Sequence, residues 1–124
     1  MSVRLRMRAA LPEAMRARDK AAVSALRGTL SALDNAEAVP VDGSVPHAAA
    51  LEASPVGAGA TEAARRELGE REVVEIVRAE AAERLEAAAH LTAPAHADRA
   101  ERLRAEAAVL LRFLDGAEGT AEGA

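Results

Sequence analysis

The sequence predicts an all-α fold, a small bundle of two helical hairpins joined by a flexible linker. Three observations predict it. Alanine supplies 34 of the 124 residues and charged residues another 29 %, and both groups favour helix. One phenylalanine is the whole aromatic content, so a sheet would lack the side chains strands prefer. Apolar residues recur at spacings of three and four in separate stretches, interrupted by proline and glycine.

The first helix is read from about Ser2 to Ala17, with Met7, Leu11 and Met15 on one stripe beside Ala10 and Ala14. Pro12 lies within it and either kinks the helix or opens it from its first turn. Asp19 is a suitable N-cap for a second helix, in which Val23, Leu26, Leu30 and Leu33 share a face. Gly28 inside this helix costs about 1 kcal/mol relative to alanine. A close helix crossing would account for it.

Residues 1–38 therefore form the first hairpin. Residues 39–60 hold Pro40, Pro46, Pro55, Gly43, Gly57 and Gly59 with only two charges, the composition of a linker. The second hairpin spans 61–116. Thr61 is its expected N-cap, a short helical turn reaches Leu68, and a longer helix runs from Glu70 to Leu91 with Val73, Ile76, Val77, Ala81, Leu85 and Ala88 on its apolar side. Glu62/Arg66, Glu67/Arg71 and Glu80/Arg84 are spaced as i,i+4 ion pairs. After Thr92-Ala93-Pro94 the last helix extends from Ala97 to Asp115 through Ala100, Leu103, Ala107, Leu110 and Leu114, with Gly116 as its stop and a disordered tail over 117–124.

Leucine, isoleucine, valine and phenylalanine together are 25 residues, about a fifth of the chain. Alanine stripes bury little area, so a thin core and modest stability are expected. The absence of cysteine removes disulfides, thiolate metal sites and cysteine nucleophiles. No apolar run approaches a membrane span. The arginine-rich start is interrupted by Pro12, Glu13 and Asp19 and lacks the apolar region of a targeting leader. A cytoplasmic protein is expected, with neither a membrane nor DNA as partner.

The run Leu11-Pro12-Glu13-Ala14-Met15-Arg16-Ala17-Arg18-Asp19-Lys20, then Leu26-Arg27 and Asn35-Ala36-Glu37, resembles the start of the GatB/YqeY family, in which an "AMKAKD" turn leads to a helix reading "LR…NAE". Val73 and Val74 lie where that family has its "EEV" helix, and Arg84 stands at a family arginine. Glu106, Leu110, Phe113 and Leu114 follow the spacing of its "E…L..YLP" ending, with Phe113 in place of the tyrosine and Asp115 in place of the proline. The resemblance covers nearly all of the chain outside the linker. It corresponds to the amino-terminal helical module of the family, whose members usually continue into a smaller helical domain similar to the tail of the tRNA-dependent amidotransferase B subunit. It implies an association with transamidation of aminoacyl-tRNA, under the family label of carbon-nitrogen ligase with glutamine as amido donor, in an accessory rather than a catalytic role. The implied partners are tRNA or an amidotransferase subunit.

The residues themselves offer no catalytic set. There is no glycine-rich phosphate loop and no nucleophile elbow. Ser24 and Ser31 are read as helix residues on or near a packing face, without the adjacent base a nucleophile needs. Glu86 and His90 are four apart and could hold two sites of a metal with His96 a distant third, but they read as surface residues near a helix end. His47 falls in the linker. The pairs Glu72/Glu75 and Glu80/Glu83 read as solvated helix faces. No cofactor or metal is expected.

Charge is the most informative feature. Residues 1–38 carry seven positive and four negative charges, a net of +3, while the rest of the chain carries −7. Arg4, Arg8, Arg16, Arg18, Lys20 and Arg27 are the candidate contacts to tRNA phosphates. The acidic pI near 5.4 and the lack of an aromatic stacking platform oppose RNA binding by this module unaided. Arg27 has a second reading, as a structural residue reaching a carboxylate such as Glu106. Three functions follow in order: an accessory module of the amidotransferase type, a protein-binding module or homodimer with no nucleic-acid role, and an independent enzyme.

Overall fold

The computed structural model describes residues 2–38 and 67–123, with side chains as far as Gly116. They form four helices in two hairpins: α1 (Val3–Ala17) with α2 (Lys20–Ala38), and α3 (Glu70–His90) with α4 (Ala97–Gly123). A short 3₁₀ turn, Pro94–His96, leads into α4. The linker 39–60, the Thr61 cap, His47 and the Glu62/Arg66 pair lie outside the described residues.

Ser2 starts α1, its side-chain oxygen accepting from the Leu5 N–H at 3.1 Å. The Val3 N–H, a further donor with no partner in its own helix, donates to Glu70 Oε2 of the second hairpin at 3.1 Å. Pro12 neither starts nor ends this helix but lies inside it, on the exposed side where solvent can serve the Arg8 carbonyl that the missing N–H would have met. The helix closes on Arg18, whose φ of 57° is the left-handed conformation. The Arg18 N–H donates to the Met15 carbonyl at 3.1 Å and the Asp19 N–H to that of Ala14 at 3.0 Å, the two bonds of a Schellman closure.

Asp19 then caps α2 as expected, accepting from the Ala22 N–H at 3.0 Å. Asp19→Ala should lower the melting temperature by the equivalent of about 1 kcal/mol, measured by thermal unfolding, while Asp19→Asn should restore most of it. In α3 the Gly69 N–H donates to Glu72 three residues into the helix at 3.3 Å. Residues 67–69 are not helical, so Glu67 and Leu68 are not part of the short helical turn expected to reach Leu68, the rest of which lies outside the described residues. Glu67 precedes the first turn of α3 and has no i,i+4 geometry with Arg71. Glu80 and Arg84 do pair, at 3.0 Å.

The helices of each hairpin run antiparallel, and the two hairpins lie side by side pointing the same way. The start of α1, the end of α2, the start of α3 and the carboxy-terminal part of α4 meet at one end of the bundle: Arg4 reaches Asp34 and Glu37, Val3 reaches Glu70, and Arg6 reaches the Phe113 carbonyl at 2.8 Å. The other end holds the α1–α2 turn and the 3₁₀ turn. The core is thin in the sense expected from the composition. Its largest fully buried side chains are Met7, Leu26, Leu33 and Leu110, filled in by Val3, Val77 and by alanines 22, 25, 81 and 107. Met15 and Leu85 depart from their predicted stripes, with 47 % and 43 % of their surface exposed. The α1 stripe turns instead through Val3, Met7 and Ala14, and that of α3 through Val73, Val77, Ala81 and Ala88.

Two glycines within helices are explained by arginines from other helices. A Cβ at Gly28 would stand 2.9 Å from Arg84 Nη2, and one at Gly116 2.9 Å from Arg6 Nη1. The close approach expected at Gly28 is therefore made by a side chain rather than a helix backbone. Gly116 does not stop the last helix: α4 passes through it to Gly123. The residue opens a seat for the Arg6 guanidinium, which also lies 5.7 Å from the centre of the Phe113 ring.

Candidate functional site

The six cations singled out in the first hairpin divide by what holds them. Arg4 is drawn into the bundle end, donating through Nη1 and Nη2 to both Glu37 carboxylate oxygens at 2.7 and 2.9 Å and through Nη2 to Asp34 at 2.7 Å. The Glu37 hydrogen bond, reinforced by Asp34, outweighs desolvation and raises its pKa above the ordinary arginine value. This arginine ties α1 to α2 and is not available to a phosphate. Arg8 shares Asp34 at 3.7 Å, and Arg16 pairs with Glu13 one turn earlier.

Arg18, Lys20 and Arg27 differ. None of them meets a carboxylate among the described residues, and Arg27 Nη2 has only the Met15 sulfur, at 3.8 Å. With Val23, Ser24 and Gly28 they line an open groove of about 530 Å³ beside the α1–α2 turn. The Schellman closure puts Arg18 there, and the first two turns of α2 carry the others along one side. Holding a residue other than glycine in the left-handed region costs roughly 1–2 kcal/mol. Arg18 is the one such residue among those described. Three cations around a concave surface, with no carboxylate partner among the described residues, can take an anion, and arginine forks suit phosphate oxygens.

The residues on which the resemblance rests serve several purposes. Asp19 is a cap, Leu26, Leu110 and Leu114 are core, Ala14 is nearly so, and Phe113 is half-buried under Arg6. Asn35 is exposed. Glu37 holds Arg4. Arg84 and Glu106, twenty-two residues apart in sequence, form an interhelical ion pair, with Arg84 Nε donating to Glu106 Oε1 at 2.9 Å. Arg84 Nη1 donates to the Glu80 carbonyl and carboxylate, each at 3.0 Å. Burial works to lower the Arg84 pKa, but the hydrogen bonds and charges of Glu80 and Glu106 prevail and raise it. Glu106 is thus taken by Arg84, and the alternative partner suggested for it, Arg27, points to the groove instead. Glycine spacing hinted that something passes close to α2. Which arginine does so was not legible, because the i,i+4 pattern on α3 accounts for Arg84 with Glu80 alone.

Other candidates stay separate. Ser24 lines the groove and Ser31 is exposed, so neither faces the packing side on which both were expected. His90 and Glu86 are 3.9 Å apart and open to solvent. Among the described residues no group of three acidic or histidine side chains converges as metal ligands, and no helix is long and apolar enough to cross a membrane. A second concavity, a cleft of about 290 Å³, is lined by Ala10, Leu26, Val109 and Phe113 together with Arg6 and Arg112.

Comparison of the chain with protein-family models, with curated proteins and with solved structures returns no match.

Proposed function

We propose that this chain is a non-catalytic helical accessory module of the GatB/YqeY type that meets the phosphate backbone of tRNA at its α1–α2 turn, in the setting of amide transfer from glutamine to aminoacyl-tRNA. The observation that carries the binding half of this reading is the set Arg18, Lys20 and Arg27, which meet no acid among the described residues and line one groove in a chain of net charge −4. The order and spacing of the motif residues support the family half. Arg18 adds weight: a left-handed arginine sacrifices stability where glycine would not, and such strain tends to persist where a side chain has a use.

That trade gives the test. Arg18→Gly should raise stability by up to about 1 kcal/mol and weaken tRNA binding, two changes in opposite directions. In filter-binding titrations the wild type should lose affinity steeply with salt, and changing Arg18, Lys20 and Arg27 together to alanine should flatten the slope by about three contacts' worth. An affinity unaltered by the triple change would defeat the reading. A protein-binding module with no nucleic-acid role is the second reading, carried by the largely apolar cleft that Arg6 and Arg112 help to line. It predicts no tRNA binding at low salt and retention of an amidotransferase subunit or self-association, read by solution mass.

A further inference from the structure

Arg84 spends three of its five N–H donors within the bundle. Nε donates to Glu106, and the two hydrogens of Nη1 face the Glu80 carbonyl and carboxylate. No acceptor among the described residues meets Nη2. That nitrogen instead abuts Gly28, 2.9 Å from where a Cβ would stand, and Gly28, though not Arg84 itself, is part of the lining of the groove that Arg18, Lys20 and Arg27 surround. The Arg84 side chain is only 15 % exposed, so two donors of a guanidinium clamped by two carboxylates are left over beside the one groove residue that has no side chain.

We propose that Gly28 is a window through which Arg84 completes the anion site, its Nη2 donating to an oxygen of the same phosphodiester that Arg18, Lys20 and Arg27 hold. This inference rests on the tRNA-backbone reading above and adds a contribution from the second hairpin to a site otherwise built by the first. The two acidic partners offset the Arg84 charge, so its contribution is directional hydrogen bonding with little net attraction. Its donors are fixed in place before the ligand arrives, because Nε and Nη1 cannot turn without breaking the Glu106 and Glu80 bonds. Alanine at position 28 puts a methyl group against Nη2, while lysine at 84 keeps the charge and loses the fork.

The experiment is a double-mutant cycle in tRNA binding, by fluorescence anisotropy with labelled unfractionated tRNA at about 50 mM salt, using wild type, Gly28→Ala, Arg84→Lys and both together. Circular dichroism establishes that each is folded, and Gly28→Ala keeps the test open if Arg84→Lys does not fold, since alanine favours the helix. Each single change should weaken binding about tenfold, the loss expected for a hydrogen bond to a charged group, and the double variant should bind no worse than either single. Gly28→Ala binding as tightly as wild type, or losses that add in full, would overturn the inference. If at the same time the Arg18, Lys20 and Arg27 triple variant has lost affinity, the proposed function survives without the Arg84 contribution. A wild type that does not bind tRNA at low salt overturns both.

Discussion

Arg84→Ala should lower the unfolding free energy by about 3 kcal/mol, the scale on which breaking one side of a buried ion pair is felt. Arg84 and Glu106 have side-chain exposures of 15 % and 8 %, low enough that solvent cannot take over from the lost partner. Glu106 would be left as a carboxylate on α4 facing α3 with no cation partner among the described residues, between the two helices that are in the most extensive contact. Glu80 is better placed to recover, being nearer the surface at 23 %. The sign with pH follows from the direction of the shift. A guanidinium whose pKa is raised on folding contributes its stability at every pH below its ordinary value and loses it only in strong alkali. The difference between wild type and variant therefore should not change across the neutral range. Urea unfolding of the two proteins at pH values on either side of neutrality checks this, and a loss under about 1 kcal/mol would mean that the pair is solvated in a way its geometry does not suggest.

Leu110→Ala should cost about as much for a different reason. Leu110 is fully buried and is one of the four largest fully buried side chains, in a core where valines and alanines make up most of the rest. Neighbours that small and already packed cannot swing into the space, so the cavity persists, and truncation of such a leucine costs about 3 kcal/mol. For a domain of this size that corresponds to a fall in melting temperature on the order of 10–15 °C. The adjacent Leu111, 37 % exposed, is the control. Its replacement by alanine should change stability by no more than about 0.5 kcal/mol.

Helix content was legible because alanine, glutamate and arginine favour helix wherever they stand, and because proline and glycine mark the gaps. The Asp19 cap was legible for a similar reason, since capping is a matter of three or four neighbouring residues. What failed was the facing of individual residues. Met15 fits a spacing of four from Met7 and Leu11, yet Ala14 takes the inward position, since in an alanine-rich helix a small side chain can pack closely and several faces look equally apolar. Gly116 was read as a stop because glycine is common just past a helix, but a neighbouring helix can also require one, and Arg6 is 110 residues away. The site was half visible. Counting charges over residues 1–38 marks this hairpin as basic, but that Arg4, Arg8 and Arg16 are engaged by Asp34, Glu37 and Glu13 depends in part on the helix pairing.

The antiparallel arrangement fixes how the molecule can be handled. Chain entry into α1, exit from α2 and entry into α3 all occur at the end marked by Arg4 and Glu70, whereas the basic groove opens by the α1–α2 turn. The fifteen residues of α1 separate the two by about 22 Å. A dye or surface tether attached next to Ser2 is thus held a helix length from the groove, and tRNA approaching an immobilised molecule would meet the cationic side unobstructed. Attachment through Lys20, the chain's single lysine, would do the reverse: wherever amine coupling takes this side chain rather than the α-amino group, it anchors the molecule by a residue that lines the groove.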